Sequence, residues 1–225
     1  MLEALIFDVD GTLAETEEAH RGAFNAAFAH AGLDWVWDAA LYRELLQVAG
    51  GKERIAAFAP QTPAATIAAL HADKTMRYGA MVRGGGAPLR PGVKALIDEA
   101  HSAGLRLAIA TTTSLDNVEA LLRATLGAEW NALFGVVAAG DMARAKKPAP
   151  DVYRLVLDRL ALPAHACIAI EDSRNGVESA RAAGVPVVAV RSAYLAGDDL
   201  SGALAVYDDT QALTLALMQR LHAAA

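Results

Sequence analysis

Cysteine is the scarcest reactive residue in this chain. Cys167 stands alone among 225 residues, so no disulfide can close within the chain, and a reducing compartment is expected. Excess positive charge is missing as well: 20 Lys and Arg stand against 26 Asp and Glu, for a net charge of -6. A general binder of nucleic acid or of anionic membranes would need a basic surface, so neither partner is expected, and any anionic ligand must be held by local cations. No apolar run approaches the roughly 18 residues that cross a bilayer. No basic stretch leads into an apolar segment at the start, so a signal peptide is not expected and the cytoplasm is the expected location. Internal repeats and low-complexity linkers are missing too. No obvious partner patch stands out, and a monomer is expected.

What is present is the balance of a soluble globular protein, 54% hydrophobic and 20% charged, long enough for one well-filled core and a smaller lobe. Short apolar runs at 2–7, 105–110, 135–138, 167–170, 186–190 and 205–207 predict six strands. Several carry no polar alternation, as expected when helices cover both faces of a parallel sheet. Helical spacing fills the intervals. Val93, Leu96, Ile97 and Ala100 follow one helix face between Pro91 and Gly104; Asp116 is expected to cap a helix ending at Gly127, and Asp151 another ended by Pro163. The alternation predicts an α/β fold, a doubly wound parallel sheet with ligands at the carboxyl ends of its strands.

Residues 14–86 break the rhythm. They offer only helical stretches, such as 16–31 and 64–81, and close on Gly84-Gly85-Gly86 and Pro88, which reads as a hinge. The expected organisation is an α/β core domain of residues 1–13 and 87–225, with an α-helical cap domain of residues 14–86 inserted above the end of the first strand.

That first strand delivers Phe7-Asp8-Val9-Asp10-Gly11-Thr12-Leu13. Two carboxylates two residues apart leave an extended strand on one side, with Val9 facing away, and Gly11 permits a sharp turn. Acids so close are costly without a compensating cation, so the pair predicts a metal.

The segment resembles the haloacid dehalogenase superfamily of phosphatases, and further motifs of that family follow in order across the chain. Thr111 ends a strand after Leu107-Ala108-Ile109-Ala110, with Thr112 and Thr113 leaving its register open. Lys147 precedes Pro148, and Glu171-Asp172 closes the strand that begins at Cys167. The resemblance implies a HAD-type Rossmannoid core with a helical cap, Asp8 as nucleophile and Asp10 as general acid and base. It implies Mg2+ held by Asp8, by Asp10 through its backbone carbonyl and by Asp172, with Glu171 either a direct ligand or a residue behind one. A phosphate monoester is inert enough that enzymes accelerate its hydrolysis up to ~10²¹-fold. The transferring group is anionic and repels an attacking carboxylate. A hard cation and Lys147 would offset that repulsion, while the Thr111 hydroxyl would donate to a phosphoryl oxygen.

Within the superfamily the chain is most similar to the group of β-phosphoglucomutases and CbbY-type phosphatases. The stretches that carry this are 14–21, 42–45, Gly50-Gly51-Lys52-Glu53-Arg54-Ile55 and Ala110-Thr111-Thr112-Thr113-Ser114. It implies a small phosphorylated sugar as substrate, xylulose-1,5-bisphosphate, in the setting of the Calvin cycle. A bisphosphate needs a second anion site. Lys52 and Arg54 after Gly51, together with Arg43, are candidates from the cap; Thr112, Ser114 and Asn117 are candidates from the core. Glu17 is a candidate for the sugar hydroxyls. His20 has a counterpart with a role in the phosphoglucomutases, whereas His30, His71, His101, His165 and His222 lack ligand spacing and are expected at the surface or in packing. Trp35, Trp37 and Tyr42 are expected to pack within the cap. A phosphomutase would use the same two aspartates and stays open at this point. A non-catalytic binding protein on this fold would be expected to have lost a catalytic group, and none is missing.

Overall fold

In the computed structural model, which describes residues 1–225, the six apolar runs form strands and helices fill the spaces between them. Along the chain come β1 (Ala4–Phe7), α1 (Glu17–His30), α2 (Ala39–Leu45), α3 (Gly51–Phe58), α4 (Ala64–Arg83) and α5 (Val93–Ser102). Then follow β2 (Arg106–Ala110), α6 (Leu115–Leu126), α7 (Trp130–Leu133), β3 (Phe134–Ala138) and α8 (Asp151–Leu160). The chain ends with β4 (Cys167–Glu171), α9 (Arg174–Ala182), β5 (Val187–Val190), β6 (Ala205–Tyr207) and α10 (Leu215–Ala224). All strand pairs are parallel, in the order β3-β2-β1-β4-β5-β6. The chain winds outward from β1 to β3 and then crosses back to β4, so a crevice opens at the carboxyl ends of β1 and β4.

Along the central strands, side-chain size alternates instead of polarity. Leu5, Phe7, Leu107, Ile109, Ile168, Ile170, Val188 and Val190 share one face with residues of α5, α6 and α10. Ala4, Ile6, Ala108, Ala110, Cys167, Ala169 and Ala189 share the other with residues of α8 and α9. Both faces are dry, which is why the runs read as continuously apolar. The small side chains on the second face leave room for α8 and α9 to lie close to the backbone.

Two expected caps are corrected. Ser114, not Asp116, is the residue before α6, and Asp116 lies in its first turn; an acid there still favours the positive end of the helix. Pro150 precedes α8, and Asp151 is its first residue. Gly104 ends the α5 turn as expected, with φ at 80°, a conformation that side chains with a Cβ resist.

Helices α1 to α4 gather a separate apolar cluster of Phe24, Phe28, Trp37, Tyr42, Leu46, Ile55 and Leu70. They roof the crevice. Tyr78 and Val82 of α4 also join the cluster beneath the sheet's larger face. The chain leaves the sheet and returns to it side by side: Ala14 and Leu89 form an antiparallel bridge, and Arg90 N–H donates to Leu13 O at 2.8 Å. No helix is long and apolar enough to cross a membrane.

Candidate active site

The crevice floor is built from four strand ends. Asp8 follows β1, Thr111 follows β2, Glu171 and Asp172 end β4, and Lys147 reaches in from the loop after β3. Because Asp8 and Glu171 continue the in-out alternation of their strands, both lie on the face that carries α8. There Lys147 Nζ donates to Asp8 Oδ1 at 2.6 Å, Glu171 Oε1 at 2.5 Å and the Ala110 carbonyl at 2.8 Å. Three donors meet three acceptors, so the buried ammonium is fully satisfied and ties β1, β2 and β4 together.

The carboxylates are not. Asp8, Glu171 and Asp172 each offer an oxygen within 4.8 Å of the others. Three acids face the single ammonium of Lys147. Glu171 Oε2 and Asp172 Oδ2 are buried with no partner within hydrogen-bond distance, and Ser192 Oγ beside Asp172 is likewise unpaired. Burial, with Glu171 and Asp10 nearby, pushes the Asp8 carboxyl up to about 8 despite Lys147. Burial and then the Asp8 charge push Asp172 well above the usual carboxylate range, while Asp8 and Glu171 raise the Lys147 ammonium against its own burial. A cluster with unpartnered oxygens and excess negative charge fits a hard divalent cation with oxygen ligands. Two glycines make the approach possible. A Cβ on Gly11 would run into the Asp172 carboxylate, and one on Gly176 into that of Glu171.

Asp10 takes a different course from the one its spacing implies. Its carboxylate stands outside this cluster and turns to the cap, where Oδ1 accepts from Thr16 Oγ1 at 2.5 Å and from His20 Nε2 at 3.0 Å. The break comes after Asp8: the backbone leaves the strand, and Gly11 at φ 82° turns it. His20 stacks on Tyr78 at 4.0 Å, and its Nδ1 accepts from Lys74 Nζ at 2.6 Å. Burial opposes the Asp10 charge, but His20, Thr16 and Lys74 together outweigh it and hold the carboxyl well below its usual range. Lys74 is itself lowered to about 7 by burial.

Of the remaining expected residues, Glu17, Gly51, Lys52, Arg54, Thr112, Ser114 and Asn117 line the same cleft. Arg54 is largely committed to the cap, donating to Leu45 O, Val48 O and Tyr42 OH, and Tyr42 in turn donates to Glu17 Oε2 at 2.8 Å. Tyr42 is therefore more than packing. Ser114 Oγ and Asn117 Oδ1 are buried and unpartnered. Gly51 lets α3 meet α4, since a Cβ there would come within 2.7 Å of the His71 ring. Arg43 is a correction: it does not line the cleft, and its Nε donates to Tyr194 O at 3.1 Å on the outer cap contact. His71 is another, because it faces the cleft, where burial and Lys74, Lys52 and Lys146 lower it to about 4. Sequence reasoning missed Lys74 and Tyr153 in the site. Both sit at ordinary helical core positions, and no local pattern sets them apart.

A sequence model of the haloacid dehalogenase-like hydrolase family matches residues 2–184. The chain belongs to this family of hydrolases, as its motifs implied, and the expected enzyme class, a phosphatase of this superfamily, holds. Within the family it is a CbbY-like chain. It is 54% identical to protein CbbY of Cupriavidus necator over 91% of this chain and 84% of that protein. It is 55% identical to protein CbbY of Rhodobacter capsulatus over 90% and 91% respectively. The crystal structure of a CbbY variant from Rhodobacter sphaeroides in complex with xylulose-(1,5)bisphosphate superposes with a TM-score of 0.92 at 49% identity, covering 96% of this chain and 98% of that one. A β-phosphoglucomutase from Clostridium difficile, at 20% identity and a TM-score of 0.83, shares the fold.

Proposed function

We propose that this chain hydrolyses a phosphate ester of a small sugar phosphate, xylulose-1,5-bisphosphate, in a Mg2+-dependent reaction that passes through a phosphorylated Asp8. The observation that carries the reading is the pair of unpartnered buried oxygens, Glu171 Oε2 and Asp172 Oδ2, beside an Asp8 already paired with Lys147. Asp8, Asp172 and Glu171 would hold the cation, together with the backbone carbonyl of Asp10; bound there, it would offset the repulsion between a carboxylate and an anionic phosphoryl group. Asp8 attacks phosphorus while Lys147 balances charge on one side and the Thr111 hydroxyl donates to a phosphoryl oxygen. Asp10 gives a proton to the departing sugar oxygen and then takes one from the water that splits the acyl phosphate. A phosphate dianion entering the cleft raises the Asp10 pKa, which favours the proton-carrying form needed for the first step.

The sugar assignment draws on the bisphosphate complex of the 49% identical CbbY. Lys52, Arg54, the amide of Gly51 and the polar groups of Thr112, Ser114 and Asn117 would serve the distal phosphate, and Glu17 the sugar hydroxyls. Arg43 has no place in this reading. The cap comprises residues 14–86 and the core residues 1–13 and 87–225, with the Ala14–Leu89 bridge beside the two crossings. The enzyme acts as a cytoplasmic monomer in the Calvin cycle, without nucleic-acid or membrane partners.

The test is phosphate release with Mg2+ across mono- and bisphosphorylated pentoses and hexoses. Preference for xylulose-1,5-bisphosphate over ribulose-1,5-bisphosphate is expected. Interconversion of glucose phosphates without free phosphate would replace this reading with a phosphomutase.

A further inference from the structure

Tyr153 on α8 has no part in the roles described so far, yet it touches two of the groups that carry them. It is fully buried, and its hydroxyl donates to Glu171 Oε1 at 2.5 Å. Its ring also lies beneath Lys147, with Nζ 5.3 Å from the centroid, within reach of a cation–π interaction. Glu171 Oε1 therefore receives two donors, the phenol and the ammonium, whereas Oε2 receives none and is sealed from water. Gly176 closes the opposite side, because even a methyl group there would overlap the carboxylate. Glu171 is clamped between a phenol and a glycine.

We propose that Tyr153 is a positioning residue for the cation: its hydroxyl holds the Glu171 carboxylate so that Oε1 stays with Lys147 and Oε2 stays free for a divalent ion shared with Asp8 and Asp172. The proposal rests on the cation reading given above. The terminal torsion of a glutamate is broad and roughly two-fold, so nothing local keeps its two oxygens in distinct roles. A second donor on one oxygen does. Removing it lets the carboxylate turn and exchange its oxygens between Lys147 and the ion. The ammonium of Lys147 then loses its fixed place relative to Asp8. Partners that orient a metal ligand in this way commonly change metal affinity 10–100-fold when lost.

The experiment uses the whole chain, stripped of metal by chelator and dialysis, with Mg2+ binding followed by titration calorimetry. Y153F keeps the ring and removes only the hydroxyl. The expected result is a Kd for Mg2+ raised about 10-fold or more, with kcat at saturating Mg2+ falling much less than the affinity. An unchanged Kd in Y153F, alongside a lost site in Asp172→Asn, would overturn the role of Tyr153 and leave the cation site standing. Unchanged binding in Asp172→Asn and Glu171→Gln as well would overturn the cation reading and this proposal with it. If Y153F also lowers the melting temperature, the comparison is repeated in the Glu171→Gln background. The effect of the phenol on Kd vanishes there if it acts through Glu171, and persists if Tyr153 only supports the fold.

Discussion

The two walls of the cleft treat the same residue type in opposite ways. On the core side, Asp8 sits among Glu171 and Asp172 with one ammonium between them, and its carboxyl is pushed up to about 8, chiefly by burial. On the cap side, Asp10 is somewhat more open, and His20, Thr16 and Lys74 overcome its partial burial and keep it below the usual range. Two residues apart in sequence, the pair is split by what each wall supplies. The core wall gathers three acids around one ammonium, whereas the cap wall carries its own cation in Lys74. On the function proposed above, such divergence would let one fold draw a nucleophile and a proton carrier from two identical side chains.

The contrast is broken most completely at Asp8. Asp8→Asn is expected to lower phosphate release by roughly 10⁴-fold or more, as for other covalent nucleophiles, while the melting temperature stays near that of the parent. Retained turnover would remove Asp8 from the mechanism. Next in size is Lys52→Ala on the cap wall, expected to raise KM for a bisphosphate about 10- to 100-fold, the worth of one hydrogen bond to a charged group, while sparing a monophosphate. Equal losses on both substrates would take Lys52 out of the distal site.

Lys74→Met sharpens the comparison by removing the cap's buried cation. Asp10 then loses one of the groups that lower its pKa, so the basic limb of the kcat/KM profile, set by the protonated Asp10 that the first step needs, is expected to move up by about one pH unit. A limb that stays in place would detach Lys74 from Asp10. Smaller again is an effect on stability without metal. Asp8 and Asp172 bind protons more tightly folded than unfolded, so from about pH 4 to pH 8 the native chain holds more protons, and stability falls as pH rises through that window. Melting temperatures in chelator should fall by a few degrees across it, and Mg2+ should flatten the slope by favouring the ionised acids. The smallest change is expected from Arg43→Ala, under about twofold in KM, since an exposed polar contact outside the cleft contributes little.

Much of this molecule was legible before any coordinates. The six strand positions and the parallel sheet follow from apolar runs, and the motifs near their ends from the family resemblance. Asp8, Thr111, Lys147, Glu171 and Asp172 all lie where strand ends meet, as expected. The cap was read less well. Helix α2 is short and was not anticipated, Arg43 was expected in the cleft, and His71 was expected outside it. Short helices owe their existence to the cluster they join, here through Tyr42, Leu46 and Ile55, so their own sequence signals them weakly.

The sequence alone determined which residues stand at the sheet's carboxyl edge, because strand side alternation and glycine turns are local properties written within a few positions. Only the tertiary structure decided what those residues meet. Asp10 is turned from the acid cluster by His20 and Lys74, the latter 64 positions away, and Glu171 is held by Tyr153 across the space between β4 and α8. Electrostatic environment is a sum over neighbours in space, and the chain brings those neighbours together only when it folds.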